Sequence, residues 1–203
     1  MKKYLRLFGN IIRHEGFRKF LKLILRKLYR RSAFFIYEIS LDSLADAGNP
    51  GELVIEKGSP EALAELRKTN DYFAIELYWD QFNDVKDCYL GYLDDRLVHI
   101  SWVFFHNDNN KYFPLKTEEA MVGPCLTYPA ARGKGVYPNI IKYICHELKL
   151  SDINKVYMVV EKDNIPSIKG IERAGLIRCG EIDGSVILTV KRKSVEFYQQ
   201  QYD

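Results

Sequence analysis

Residues 126–144 read LTYPAARGKGVYPNIIKYI: strand-forming residues, a turn on Arg132-Gly133-Lys134-Gly135, and an apolar periodicity that marks a helix. A strand that feeds a glycine-rich turn and then a helix leaves backbone N–H groups unpaired at the helix N-terminus, where the macrodipole also favours negative charge. A phosphate is the expected guest. Gly133 and Gly135 let the backbone approach a ligand without a Cβ in the way, and Arg132 and Lys134 add charge at the rim. Pro138 sits in the first helical turn, where a missing N–H is tolerated. Lys134 is followed by Gly135 rather than Ser or Thr, which excludes a Walker A loop, and the three-glycine dinucleotide fingerprint is also absent. Taken alone, the turn also fits a basic surface loop.

Outward from this turn the chain alternates. Upstream, the pattern predicts a strand at Leu53 to Glu56 and a helix capped by Ser59 with Pro60 in its first turn. An aromatic-rich helix is expected over about Asp71 to Phe82, and a hairpin in CYLGYLDDRLVHISWVFF turned at Asp94-Asp95. The strand before the turn spans about Ala120 to Tyr128, and the helix after it runs to about Leu150. Downstream come a buried strand KVYMVVE, a helix from Asn164 to Ala174, and a hairpin turned at Asp183-Gly184. This order predicts an α/β domain with a mixed sheet flanked by helices.

The 203 residues, 47% hydrophobic and 28% charged, suit one compact domain. Cys88, Cys125, Cys145 and Cys179 lack CxxC spacing, so neither a zinc site nor paired disulfides are expected, and a reducing cytoplasm fits. No apolar run approaches the roughly 20 residues of a membrane span, and Arg13, His14 and Glu15 interrupt any signal-peptide pattern. The net charge of +3 is unevenly placed, because residues 1–31 hold eleven Lys/Arg against the single Glu15. There Phe17, Phe20, Leu21, Ile24 and Leu28 recur at helical spacing among the basic residues, the pattern of a basic amphipathic helix. Such a helix packs on its own domain or lies on an anionic membrane surface, peripheral on the inner face. The acidic balance of the remaining chain argues against nucleic acid. A short strand at Phe34 to Ile39 and the polar DAGNPG turn complete an extension over residues 1–50, which leaves 51–203 as the main domain.

The stretch 126–144 resembles motif A of the GCN5-related N-acetyltransferases, with Thr127, Pro129, Arg132 and Gly135 at matching positions. NIPSIKGIERAGL resembles motif B of the same family through Asn164, Ser167, Gly175 and Leu176. The resemblance covers about residues 52–193 and implies a mostly antiparallel central sheet and transfer of an acetyl group from acetyl-CoA to a primary amine, with no metal. It implies that backbone N–H groups from Arg132 through Gly133, Lys134, Gly135 and Val136 to Tyr137 hold the pyrophosphate. Leu126 and Tyr128 would pair with the pantetheine arm, and the sheet would splay before KVYMVVE. Asn164 and Ser167 would line the arm from the other side. Two departures stand out: Tyr137 occupies the third glycine-like position of motif A, and Ile171 stands where many members carry a tyrosine acid.

Acyl transfer from a thioester needs a neutral amine, a donor for the oxyanion and a proton for the thiolate. Glu119 is the candidate base, with Glu118 facing the other way by strand alternation. His99 is the second candidate, and His106 also stays open. Cys125 reads as a small apolar filler rather than a nucleophile. Cys145 and His146 diverge by about 100° around their helix and form no dyad. For the acceptor, Tyr72, Phe73, Tyr78 and Trp79 offer stacking surfaces, and Glu76 or Asp80 a partner for an amine. An amino-sugar nucleotide would use both. A non-catalytic acyl-CoA binder, a membrane-surface adaptor and a homodimer remain open.

Overall fold

The structure, a computed structural model of the 203-residue chain, describes residues 29–42, 44, 51–69, 74–83, 85–187 and 190–198. The amphipathic helix expected before Tyr29 lies outside them, as do Tyr72 and Phe73. In chain order the elements are β1 Tyr29–Ser40, β2 Val54–Lys57, α1 Pro60–Thr69, a 3₁₀ turn Ile75–Tyr78 running into α2 Trp79–Asn83, β3 Asp87–Leu93 and β4 Arg96–Phe104. Then follow β5 Glu119–Thr127, α3 Val136–Lys149, β6 Lys155–Glu161, α4 Ile165–Arg173, β7 Ile177–Ile187 and β8 Val190–Phe197.

The strands form one sheet in the order β2-β3-β4-β5-β6-β1-β7-β8. Every neighbouring pair is antiparallel except β5 with β6. Local chemistry sets the element ends. Ser59 Oγ accepts the Ala62 N–H at 3.1 Å to cap α1, and Asn164 Oδ1 accepts the Ser167 N–H at 3.3 Å to cap α4. Asp94 and Asp95 both take positive φ, 48° and 58°, the backbone a two-residue hairpin turn needs. One apolar layer joins a sheet face to α3 and α4 through Ile140, Ile144, Leu148 and Ile171. On the other face α1 and the 3₁₀ turn pack through Leu63, Leu77, Trp102 and Met121.

Three expectations are corrected. The boundary at residue 50 does not divide the sheet, because β1 is an inner strand between β6 and β7. Its neighbouring residues Ile36 and Tyr37 are buried in opposite layers, which an edge extension could not achieve. The chain does not turn at Asp183-Gly184. Those residues pair with Ala33 and Ser32 on one side and with Ser194 and Lys193 on the other, so β7 continues to Ile187. The aromatic segment is a 3₁₀ turn and a short helix, since Trp102 Nε1 donates to the Glu76 carbonyl at 2.7 Å and Arg67 Nε to the Leu77 carbonyl at 2.8 Å. Side chains thus take carbonyls that a continuous helix would bond to its own amides.

Candidate active site

The parallel pairing of β5 with β6 is short: Glu119, Ala120 and Met121 meet Lys155, Val156 and Tyr157, and no further residues pair. Beyond that point β5 follows β4 as far as His99 with Thr127, while β6 follows β1 as far as Phe34 with Glu161. The sheet opens between them. Two cavities meet in this opening, one of 520 Å³ and one of 270 Å³, and Cys125, Tyr137, Asn164 and Ser167 line both.

The larger cleft contains the glycine turn. Gly133 and Gly135 have φ of 78° and 77°, so only glycine takes this path without strain. Open space surrounds a hypothetical Cβ at Gly133, and at Gly135 the nearest atom is an Asn139 nitrogen at 3.8 Å, so the backbone faces the cleft unobstructed. Arg132, Lys169 and Arg173 line the cleft, and among the described residues no carboxylate does. Lys169 and Arg173 escaped the sequence reading although their i, i+4 spacing on α4 places them on one helix face. Lys134 does not join them; with Glu52 and Asn139 it lines a separate pocket.

Tyr137 fixes the geometry where the cavities meet. Its ring lies over Gly170 and stacks on the His99 imidazole at 5.8 Å between centroids, and its hydroxyl lies close to the Cys125 thiol. Cys125 faces Ser101 across the β4–β5 pair, the Ser101 Oγ lies 2.6 Å from His99 Nε2, and His99 Nδ1 lies 2.8 Å from Thr127 Oγ1. A buried polar chain therefore runs from the junction to the cleft rim. Burial lowers the His99 pKa to about 3, so the imidazole is neutral, and burial raises the Cys125 thiol to about 11. The negative charge of Glu76 adds to that rise, but Glu76 lines neither cavity.

No family model matches the sequence, and no curated protein matches it. Solved structures do. A GNAT-family acetyltransferase from Colwellia psychrerythraea superposes with a TM-score of 0.55 over 84% of this chain and 57% of its own, at 14% identity. A GCN5-related N-acetyltransferase from Sphaerobacter thermophilus gives 0.57 over 89% and 57%, at 14% identity. AAC(6')-Ib in complex with ribostamycin and coenzyme A gives 0.52 over 73% and 94%, at 12% identity. The chain has the GCN5-related N-acetyltransferase fold. It spans 57% of the length of the first two proteins.

On this GCN5-related fold the remaining candidates separate. Glu119 lines neither cavity: it is buried, accepting the Lys116 N–H at 2.9 Å and the Tyr157 hydroxyl at 3.4 Å, with the Lys116 ammonium at 3.9 Å. It stands at the closed end of the β5–β6 pair. His99, fully buried and bonded at both nitrogens, holds the polar chain rather than facing a substrate. His106 is exposed beyond the end of β4. Val136 is buried at the start of α3 with its side chain at the cleft wall.

The backbone of Leu126 and Tyr128, expected to pair with the pantetheine arm, is turned toward β4. The Tyr128 N–H donates to the Val98 carbonyl at 2.9 Å, and successive amides of extended chain point to opposite edges, so Leu126 also faces β4. Cys125 and Thr127 offer the open edge, where Arg132 Nε already donates to the Thr127 carbonyl at 3.1 Å. Ile171 is buried in the core and reaches neither cavity. Of the acceptor candidates, Trp79 lines the smaller cavity. Tyr78 instead lies under the Arg67 guanidinium at 5.2 Å, and Asp80 is held by the same arginine. Among the described residues no cluster of His, Cys, Asp or Glu could hold a metal, and no helix is long and apolar enough to cross a membrane.

Proposed function

We propose that the protein is an acetyl-CoA-dependent N-acetyltransferase acting on the primary amine of a small molecule. The observation that carries this reading is the meeting of two cavities in the β5–β6 opening, one basic and built on a glycine turn, the other walled by aromatic residues. In this reading the amides of the turn and the Arg132, Lys169 and Arg173 cations hold the pyrophosphate of the donor. The open edge of β5 at Cys125 and Thr127 guides its arm to the junction. The amine enters through the smaller cavity, drawn by the negative charge of Glu161 at its wall.

The neutral amine nitrogen attacks the thioester carbonyl, and the C–S bond breaks as the amide forms. The nitrogen releases one proton to a carboxylate or to water, and the thiolate sulfur gains one. Tyr137 is placed to donate that proton, because its hydroxyl lies at the junction. The residue missing at position 171 is thereby replaced from α3. An amino-sugar nucleotide suits the smaller cavity, with a ring stacked on the walls of Trp79, Phe34 and Tyr112. Incubation with acetyl-CoA and a panel of amines, read by thiol release and product mass, tests the reading. Acetylated amine with equimolar free thiol is the expected result, and acetyl-CoA binding without turnover on any amine refutes it.

A further inference from the structure

The smaller cavity is longer than an acetyl group needs. The open edge of β5 leads from Thr127 to Cys125 at the junction, and beyond it Met121, Val122, Gly123 and Pro124 of the same strand line the cavity. A line continued along that edge from the junction runs toward the pairing of Met121 with Tyr157, where the sheet closes. At about 3.3 Å per residue the path from Cys125 to Met121 is roughly 10 Å, allowing for the bulge that sets both Gly123 and Pro124 opposite Trp102. The side chains along it are apolar. Met121, Val122, Met158 and Val160 wall this end, and all four are buried. Nothing lies within 4 Å of where a Cβ on Gly123 would stand, so the path passes that residue unobstructed, and Pro124 brings no N–H to it. The charged lining residues stand apart from this end: Lys111 is exposed in the loop after β4, and Glu161 is exposed at the end of β6 remote from the closed pairing. The cavity thus has an apolar, buried slot in line with the donor arm and a polar, exposed mouth beside it.

Resting on the acetyltransferase reading of the opening, we infer that this slot holds an acyl group longer than acetyl, so that the donors include straight-chain acyl-CoA thioesters such as butyryl- and hexanoyl-CoA. The acyl chain continues the line of the pantetheine arm past the thioester and lies between Met121 and Met158, whose unbranched side chains adapt to a linear guest. The amine approaches from the mouth. The chemistry is the same for every chain length: the N–C bond of the amide forms as the thioester C–S bond breaks, the acyl chain leaves with its carbonyl carbon, and the thiolate sulfur gains a proton as the nitrogen loses one. A chain that ends in a charge is disfavoured, because the apolar walls offer a carboxylate no partner.

The test is titration calorimetry, without amine, of free CoA and of acetyl-, butyryl-, hexanoyl- and succinyl-CoA. Each methylene withdrawn from water strengthens binding by up to about fourfold, so hexanoyl-CoA is expected to bind at least about tenfold more tightly than acetyl-CoA, with butyryl-CoA between them. Succinyl-CoA should bind no more tightly than acetyl-CoA. Val159 is half-buried on the wall of the same cavity, and Val159→Phe should narrow the hexanoyl gap to about twofold while the affinity for free CoA, which has no acyl group, is unchanged. Binding of hexanoyl-CoA by the wild-type protein that is absent, or no tighter than that of acetyl-CoA, overturns the inference whether or not the variant folds. A folded Val159→Phe protein that keeps the whole gap overturns it as well. Acetyl transfer to an amine with no gain from longer chains would sink the slot and leave the transferase reading standing. A hexanoyl preference in a protein that transfers no acyl group to any amine would do the reverse.

Discussion

Gly170 and Tyr137 should be energetically coupled, and the coupling can be worked from their contact. A methyl added at Gly170 would sit 2.8 Å from Tyr137 Cε1 and nearer still to Cδ1, distances that real Cβ atoms do not show. The obstructing atoms belong to the body of a ring that also stacks on His99, so the ring cannot swing aside cheaply. Gly170 lies inside α4, where alanine is intrinsically better than glycine by about 0.8–1 kcal/mol. Overpacking of this kind costs about 1–3 kcal/mol. Gly170→Ala should therefore destabilise the protein by up to about 2 kcal/mol in the wild-type background. With Tyr137→Ala the clash is gone, and the same substitution should stabilise by close to the full helix-propensity gain. The difference between the two effects, about 1–3 kcal/mol, is the coupling energy, read from a double-mutant cycle in urea unfolding. A coupling below about 0.5 kcal/mol would mean that the ring does not occupy the α4 notch, and the placement of Tyr137 at the junction would fall.

Other consequences follow from the same geometry. Gly135→Val places a β-branched residue at φ 77° on the turn, and should weaken CoA binding by about tenfold or more, measured by titration calorimetry. Tyr137→Phe keeps the ring but loses the proton, so kcat should fall by about 10²-fold while the dissociation constant for CoA stays within about twofold. His99 has a folded pKa of about 3 against 6.5 for the free residue, so the unfolded chain binds more protons between those values. Its contribution to stability is intact above pH 6.5 and declines as pH falls, by about 1.4 kcal/mol per pH unit until the folded pKa is reached. Urea midpoints measured from pH 7 to pH 4 should show this loss, and His99→Gln should remove that part of the slope.

Much of the fold could be read from local chemistry. The Ser59 and Asn164 caps, the Asp94-Asp95 turn and the glycine turn are each fixed by residues within four positions of one another, and all four stand where the pattern puts them. What escaped depends on distant partners. No local signal says that Tyr29–Ser40 enters the sheet between β6 and β7, since its apolar residues look alike whether they cover an edge or fill the centre. Asp183-Gly184 carries a strong turn signature that pairing on both sides overrides. At the site, Arg132 and the two glycines were visible as a motif, but Lys169 and Arg173 join them only because α4 packs beside α3. Glu119 was chosen by its place along β5, and a carboxylate's burial among Lys116 and Tyr157 is invisible to strand alternation. Tyr137 stood out only as a bulky residue at the third glycine-like position of the motif, at the start of a helix. Its ring finds room because the helix facing it carries glycine at position 170.

The central claim is that the opening between β5 and β6 seats an acetyl donor with its pyrophosphate on the 132–137 turn and its sulfur at Tyr137. A crystal structure of the protein with CoA tests it most directly. The account predicts phosphate oxygens within hydrogen-bond reach of the turn amides, Lys169 or Arg173 on the phosphates, and the thiol beside the Tyr137 hydroxyl. CoA bound elsewhere, or bound here with its thiol directed away from the junction of the two cavities, would contradict it.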